Sequence, residues 1–443
     1  MRRRGCMQAL ALAAALPWAG SRAAVAAAPG LAAHDTVMAA AQALDVFVVL
    51  RRASAAGQRV DWFDGKGLEL RGRFTSPAPL HPRLAFSASA TGHAHAWLST
   101  AAGDAVRLRL DAEEPPLVRP LGRTLAGLAV AADGGCVMAV HDDPPQLVFW
   151  DAALAQPLGR IAVATREGRA AAGVAAWCEA AMRRSFFVAP AGLAELWEIS
   201  HDRRAEDFYE GLVHDYRFGE GVPTRGYLGA RRIRLPRPLA SLALDPEAVH
   251  VLGEGAGSGG ASDAIDIVNP DVRRRVAVLD GAPLRLRGAA FVAAAAAAGA
   301  SSAAPHAASL LVPLAGQPAL ALVDSEHWTI AARIALPGEA IAVAAHRRAP
   351  QALVSMRTSA GDLLGTLDLQ HRSLASMRRF DGVRLAPPVL SRDGKRVLVV
   401  REGQALLVLD ASTLADAAEL PGDESVAVRA TAARRSPSLA RPA

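Results

Sequence analysis

One short pattern recurs eight times along this 443-residue chain: an apolar or alternating run that ends in Asp, Asn or Ser, followed by a polar turn. The copies are RVDWFD (59–64), VRLRLD (106–111), QLVFWD (146–151), ELWEIS (195–200), AIDIVN (264–269), ALALVD (319–324), LLGTLD (363–368) and ALLVLD (405–410). Their ends lie 40–55 residues apart, with one longer gap of 69 between 200 and 269. A recurrence of this size decides the fold, because one four-stranded blade of a β-propeller takes about 40–50 residues. The chain is therefore expected to be all-β, an eight-bladed β-propeller over residues 40–428. The terminal Asp of each copy should close the hairpin between the third and fourth strands of a blade. The turn signals Asp133-Gly134-Gly135 and Arg392-Asp393-Gly394-Lys395 should join first and second strands. A two-sheet sandwich would not need eight similar units.

The long gap points to an excursion over about 201–237, dense in Asp, Glu, Arg and Tyr, between the fourth and fifth blades. Long ordered loops on rigid scaffolds often carry function. Within it, His214 beside Asp215 reads as a loop anchor rather than an oriented base. The small-residue stretches 253–262 and 299–308 read as flexible loops, and 429–443 as a disordered tail. No second folded domain is left over.

The first 26 residues read as an address. Arg2, Arg3 and Arg4 precede an apolar run, 9–17, too short for a permanent membrane anchor, and Ala24-Val25-Ala26 supplies an A-x-A cleavage pattern. The expectation is a signal peptide, a mature chain beginning near Ala27 and a soluble periplasmic protein with no membrane span after cleavage. Cys136 and Cys178 then remain, free to form one disulfide or none. There is no C-x-x-C-H, so no c-type haem is attached. The net charge of +6 comes from arginine scattered along the chain, with Lys66 and Lys395 as the only lysines. Without a basic patch interleaved with aromatics, nucleic acid is not an expected partner, and the arginine excess reads as genome composition. His93 and His95 alternate on a strand, but no carboxylate or third imidazole sits nearby to make a metal site.

Three strings resemble the haem-d1-binding domain of cytochrome cd1 nitrite reductases and its relatives, over about 81–414. They are Pro144-Pro145-Gln146 entering a blade strand, the run 283–291 (PLRLRGAAF), and Ala344-Ala345-His346-Arg347 after a strand. The resemblance implies a non-covalent haem d1, or its dihydro-haem d1 precursor, with His81 as the axial ligand to the iron. Neutral imidazole serves this role when its other nitrogen is held. It also implies Arg123 and Arg287 as partners of the carboxylate-rich ring edge, where a guanidinium can bind bidentately, and His346 as a distal, catalytic histidine. Leu284 stands where the family has the second distal histidine, and leucine cannot donate a proton. With no c-type haem either, the chain is not expected to be a complete nitrite reductase, although the family belongs to denitrification. The expected role is in haem d1 biosynthesis, as a dehydrogenase of the dihydro precursor or as its carrier, with a periplasmic cytochrome or other d1-pathway proteins as partners. The alternative is a degenerate, non-catalytic propeller serving as a periplasmic protein-binding scaffold. Convergence of His81, His346, Arg123 and Arg287 on one mouth would separate the two.

Overall fold

The computed structural model describes residues 37–39, 46–51, 57–89, 91–209, 223–255, 264–292, 309–346, 349–401, 406–420 and 426–429. The expected signal segment, the 213–217 string around His214, and the stretches 256–263, 299–308 and 430–443 lie outside them. The described chain forms eight antiparallel sheets, each a meander of four consecutive strands, here a to d. The blades span 37–76, 85–120, 125–162, 174–234, 239–279, 290–335, 339–381 and 389–420. A last strand, Val426–Arg429, pairs with strand b of blade 1, Val46–Arg51, so the two ends of the propeller meet in one sheet. No helix among the described residues is long and apolar enough to cross a membrane.

The eight repeats are the eight c strands, and their continuous apolar character follows from burial on both faces. Side chains alternate across a strand. In strand b of blade 4, Ser185–Pro190, Phe186 and Val188 enter a cluster shared with blade 3, while Phe187 and Ala189 enter one shared with blade 5. The same alternation places one apolar cluster at each of the eight blade junctions, including the closing junction of blades 8 and 1, where Phe47, Val49, Leu398 and Val408 meet.

Six of the polar residues that end the repeats close their c–d turns as expected, while Asp111 instead binds His93 and Arg109. Asp64, Asp151, Asn269, Asp324, Asp368 and Asp410 each accept backbone N–H groups from two to five residues on, an Asx geometry that fixes the turn locally. All six of these turns then hold a non-glycine residue in the left-handed region, namely Leu68, Leu154, Arg273, Trp328, Arg372 and Leu414. Asp410 is the extreme case. Its Oδ1 accepts from the Ser412 and Thr413 hydroxyls and amides, and these bonds, the Ser412 hydroxyl foremost, lower its pKa to about 2. Because the folded pKa is depressed, the stabilisation is full above the unfolded value near 4 and disappears as pH falls through about 2. Asp410→Ala is expected to cost about 1 kcal/mol at pH 7, a figure kept small by solvent screening. Urea midpoints of the two proteins measured down the acid range should converge; a gap that stays constant would exclude the carboxylate as its source.

The excursion is placed differently from the sequence reading. Strand c of blade 4, Glu195–Ser200, pairs with Ala230–Arg234, which is strand d of the same blade. The long connection is therefore the c–d link inside blade 4, and 235–238 is an ordinary step to blade 5. The strand ARRIR carries so little apolar alternation that nothing in its sequence marks it as a fourth strand. Cys136 and Cys178 are both free thiols; Cys136 is buried, which pushes its pKa up to about 12.

Candidate functional site

Since every blade runs a to d in the same sense, the d–a links and b–c turns share one end of the ring, and the a–b and c–d turns share the other. His81, Arg123 and Arg287 all lie on d–a links: from blade 1 to 2, blade 2 to 3 and blade 5 to 6. His346 lies at the a–b turn of blade 7, after Glu339–Ala345, a strand of roughly 20 Å by its seven residues. Three of the four residues therefore lie at one end of the ring, and His346 lies at the other. A spacing argument cannot see which end of a strand a residue occupies until the strand is assigned its place in the blade.

At the d–a end, the His81 amide donates to the Ser99 carbonyl at 2.8 Å, fixing the loop. The imidazole Nε2 is buried and makes no hydrogen bond among the described residues. Burial lowers the His81 pKa, opposed by the nearby Leu125 and Thr100 carbonyls and by the charge of Asp142. A neutral ring with an unused nitrogen is the form that binds a metal, and an orphaned buried nitrogen calls for an explanation. Asp142 is pushed the other way, its pKa raised by burial against the pull of His81 and His141. His141 is itself buried, with its Nδ1 3.3 Å from the Thr124 hydroxyl and its Nε2 also unpartnered.

Sequence reasoning missed Arg83. Its guanidinium lies 3.8 Å from the ring centroid of Trp177 on strand a of blade 4, a cation–π contact. Burial, and then the positive charge of Arg287, lowers the Arg83 pKa. Two arginines from blades 2 and 6 thus sense each other across the ring, and neither has an ion pair among the described residues. Such a pair is an incipient anion site. Arg287 is exposed, and Gly288 after it holds a φ of 87° against the Ile341 carbonyl, where a Cβ would overlap that oxygen. Arg123, also exposed, precedes Thr124 and Leu125, which border the two histidines. Leu284 is fully buried in the cluster between blades 5 and 6, so its side chain does not reach a ligand in the mouth.

At the opposite end, His346 Nδ1 accepts from the Ala349 amide at 3.0 Å, and its ring packs on Gly394, where a Cβ would overlap it. His93 is bound to Asp111 at 2.8 Å rather than paired with His95. Asp324, Glu326 and His327 are close enough to hold a cation, yet they sit on the c–d turn of blade 6, and His327 is already bonded to Asp324 at 2.8 Å.

No protein-family model and no curated protein matches the chain. Solved structures do. The dihydro-haem d1 dehydrogenase NirN, in complex with DHE, matches with a TM-score of 0.69 and 21% identity, over 87% of this chain and 74% of that one. The C-terminal WD40 domain of Sif2 matches with a TM-score of 0.48 and 10% identity, over 78% of this chain and 84% of that one. The propeller read from the sequence as like a haem d1 domain thus has such a propeller as a structural neighbour, a likeness of fold.

Proposed function

We propose that the chain binds haem d1 or its dihydro precursor at the d–a end of the propeller and acts in haem d1 biosynthesis. The observation that carries this reading is the buried Nε2 of His81, unpartnered among the described residues, on the same end as Arg83 and Arg287, neither of which has an ion pair there. These residues fit a carboxylate-bearing tetrapyrrole: His81 would hold the iron, and Arg287, Arg83 and Arg123 would hold the ring carboxylates. The ligand, when bound, supplies the conjugated ring whose dihydro form can be oxidised, with the electrons leaving to an external acceptor. Asp142 and His141 can hold a proton beside the iron ligand. With His346 at the far end, no distal histidine from this set faces the ring, so the role proposed is binding of the precursor, with or without its dehydrogenation, and not nitrite reduction. The arginine-led leader supports export to the periplasm, which amino-terminal sequencing of the mature protein, expected to begin near Ala27, tests.

Titration of the purified mature protein with haem d1 or its dihydro precursor, followed in the visible spectrum, tests the binding. A saturable low-spin shift is expected, lost in His81→Ala and weakened about tenfold in Arg287→Gln, the loss of one charge-assisted contact. An unchanged spectrum with the native protein would remove the tetrapyrrole reading and leave the protein-binding scaffold.

A further inference from the structure

At the end of the ring away from His81, blades 7 and 8 line a half-open cavity of about 260 Å³. It is smaller than the roughly 300–1,000 Å³ of pockets for drug-sized ligands. Its apolar wall is Ala352, Leu353, Leu390 and Ala411, and the Thr366 hydroxyl donates to the Ala411 carbonyl at 3.2 Å, pinning the two blades together beside it. Two charges of opposite sign face the same space without pairing with each other: Lys395 and Asp410. Lys395, one of only two lysines in the chain, has no ion pair among the described residues, although its charge helps lower the pKa of Asp393 two residues before it. Asp410 commits Oδ1 to four donors of its own turn, while no hydrogen bond to Oδ2 is found among the described residues. Gln351 adds a side-chain amide to the lining, and it too makes no side-chain hydrogen bond among the described residues.

We propose that this cavity is a binding site for a small zwitterion, of which a free apolar α-amino acid is the simplest. Its carboxylate meets Lys395 and Gln351, its ammonium meets Asp410, and its side chain lies on Leu353 and Leu390. A simple anion would have Asp410 against it and a simple amine would have Lys395 against it, whereas a zwitterion satisfies both charges. The site is independent of the tetrapyrrole mouth.

The test is calorimetric titration of the full mature chain with L-alanine, L-valine and L-leucine, with malonate and butylamine as probes carrying one kind of charge. Saturable binding of L-valine or L-leucine is expected, at least tenfold tighter than that of malonate or butylamine. Lys395→Gln, an exposed substitution, should weaken it at least tenfold, and His81→Ala should leave it unchanged. Failure of all three amino acids to bind at 10 mM, malonate binding as tightly as they do, or binding indifferent to Lys395→Gln would each overturn the proposal. None of these outcomes bears on the His81 titration.

Discussion

Asp61→Ala is expected to destabilise the propeller by about 3–5 kcal/mol, the cost of leaving a buried charge without its partner. Asp61 is fully buried on strand c of blade 1. Its Oδ2 accepts from Arg51 Nε at 2.9 Å, and its Oδ1 from Arg73 Nε at 2.8 Å, with Arg59 Nε at 3.2 Å. Arg51 is itself 3% exposed, so loss of the carboxylate removes the Nε partner of a guanidinium that water barely reaches. The single variant should lower the urea midpoint of the first unfolding transition without changing its slope. Replacing both partners, Asp61→Ala with Arg51→Met, should recover part of the loss, because an apolar pair of similar volume carries no desolvation cost. A loss below about 1 kcal/mol for the single variant would mean that the other arginines find new partners and that the site is not closed to water.

The same arrangement recurs in other blades, and it revises the sequence reading of the arginines. Asp266 is bound by Arg237 and Arg275, Asp362 by Arg357 and Arg384, and Glu198 by Arg183 and Arg231. Composition alone gave these arginines a genomic explanation, yet many are the neutralising partners of acids buried on c strands. Nothing local announces this, since the partners come from other strands, links and turns and the intervening spacing differs from blade to blade. The repeats were legible for the opposite reason. Each c strand carries its apolar run and its closing Asp, Asn or Ser within seven residues, so the signal is local and occurs eight times. The candidate site lies between these cases. His81 and Arg287 could be placed from short strings, but Arg83 gains its meaning from Trp177, 94 positions away in the chain, and from Arg287 across the ring. His346 could be seen as a histidine after a strand, while its place at the a–b end depends on knowing that the strand is the first of its blade.

Phe186→Ala should be comparably damaging, at about 3–5 kcal/mol, for a reason specific to the architecture. Neighbouring blades 3 and 4 share no backbone ladder; every described ladder between named strands lies within a single sheet. Cohesion between them therefore falls to side chains: to packing, and to the hydrogen bonds that Trp177 Nε1 donates to the Leu128 carbonyl and Glu179 accepts from the Ala132 amide. Phe186 is fully buried at that junction, stacked on Phe149 of blade 3 with ring centroids 6.4 Å apart and tilted against His201 at 4.9 Å. Truncation removes the transfer free energy of the ring and leaves a cavity between two sheets whose backbones are each held rigid by their own hydrogen bonds, so collapse into it is limited. Met377→Ala, on the exposed outer strand of blade 7 at 49% exposure, is the matched control and should fall within about 0.5 kcal/mol of the native protein. Amide exchange adds a spatial readout: protection should fall in blades 3 and 4 together, because the loosened element is their junction. Loss confined to blade 4 would show that its packing, and not the seam between blades, carries the stability of this region.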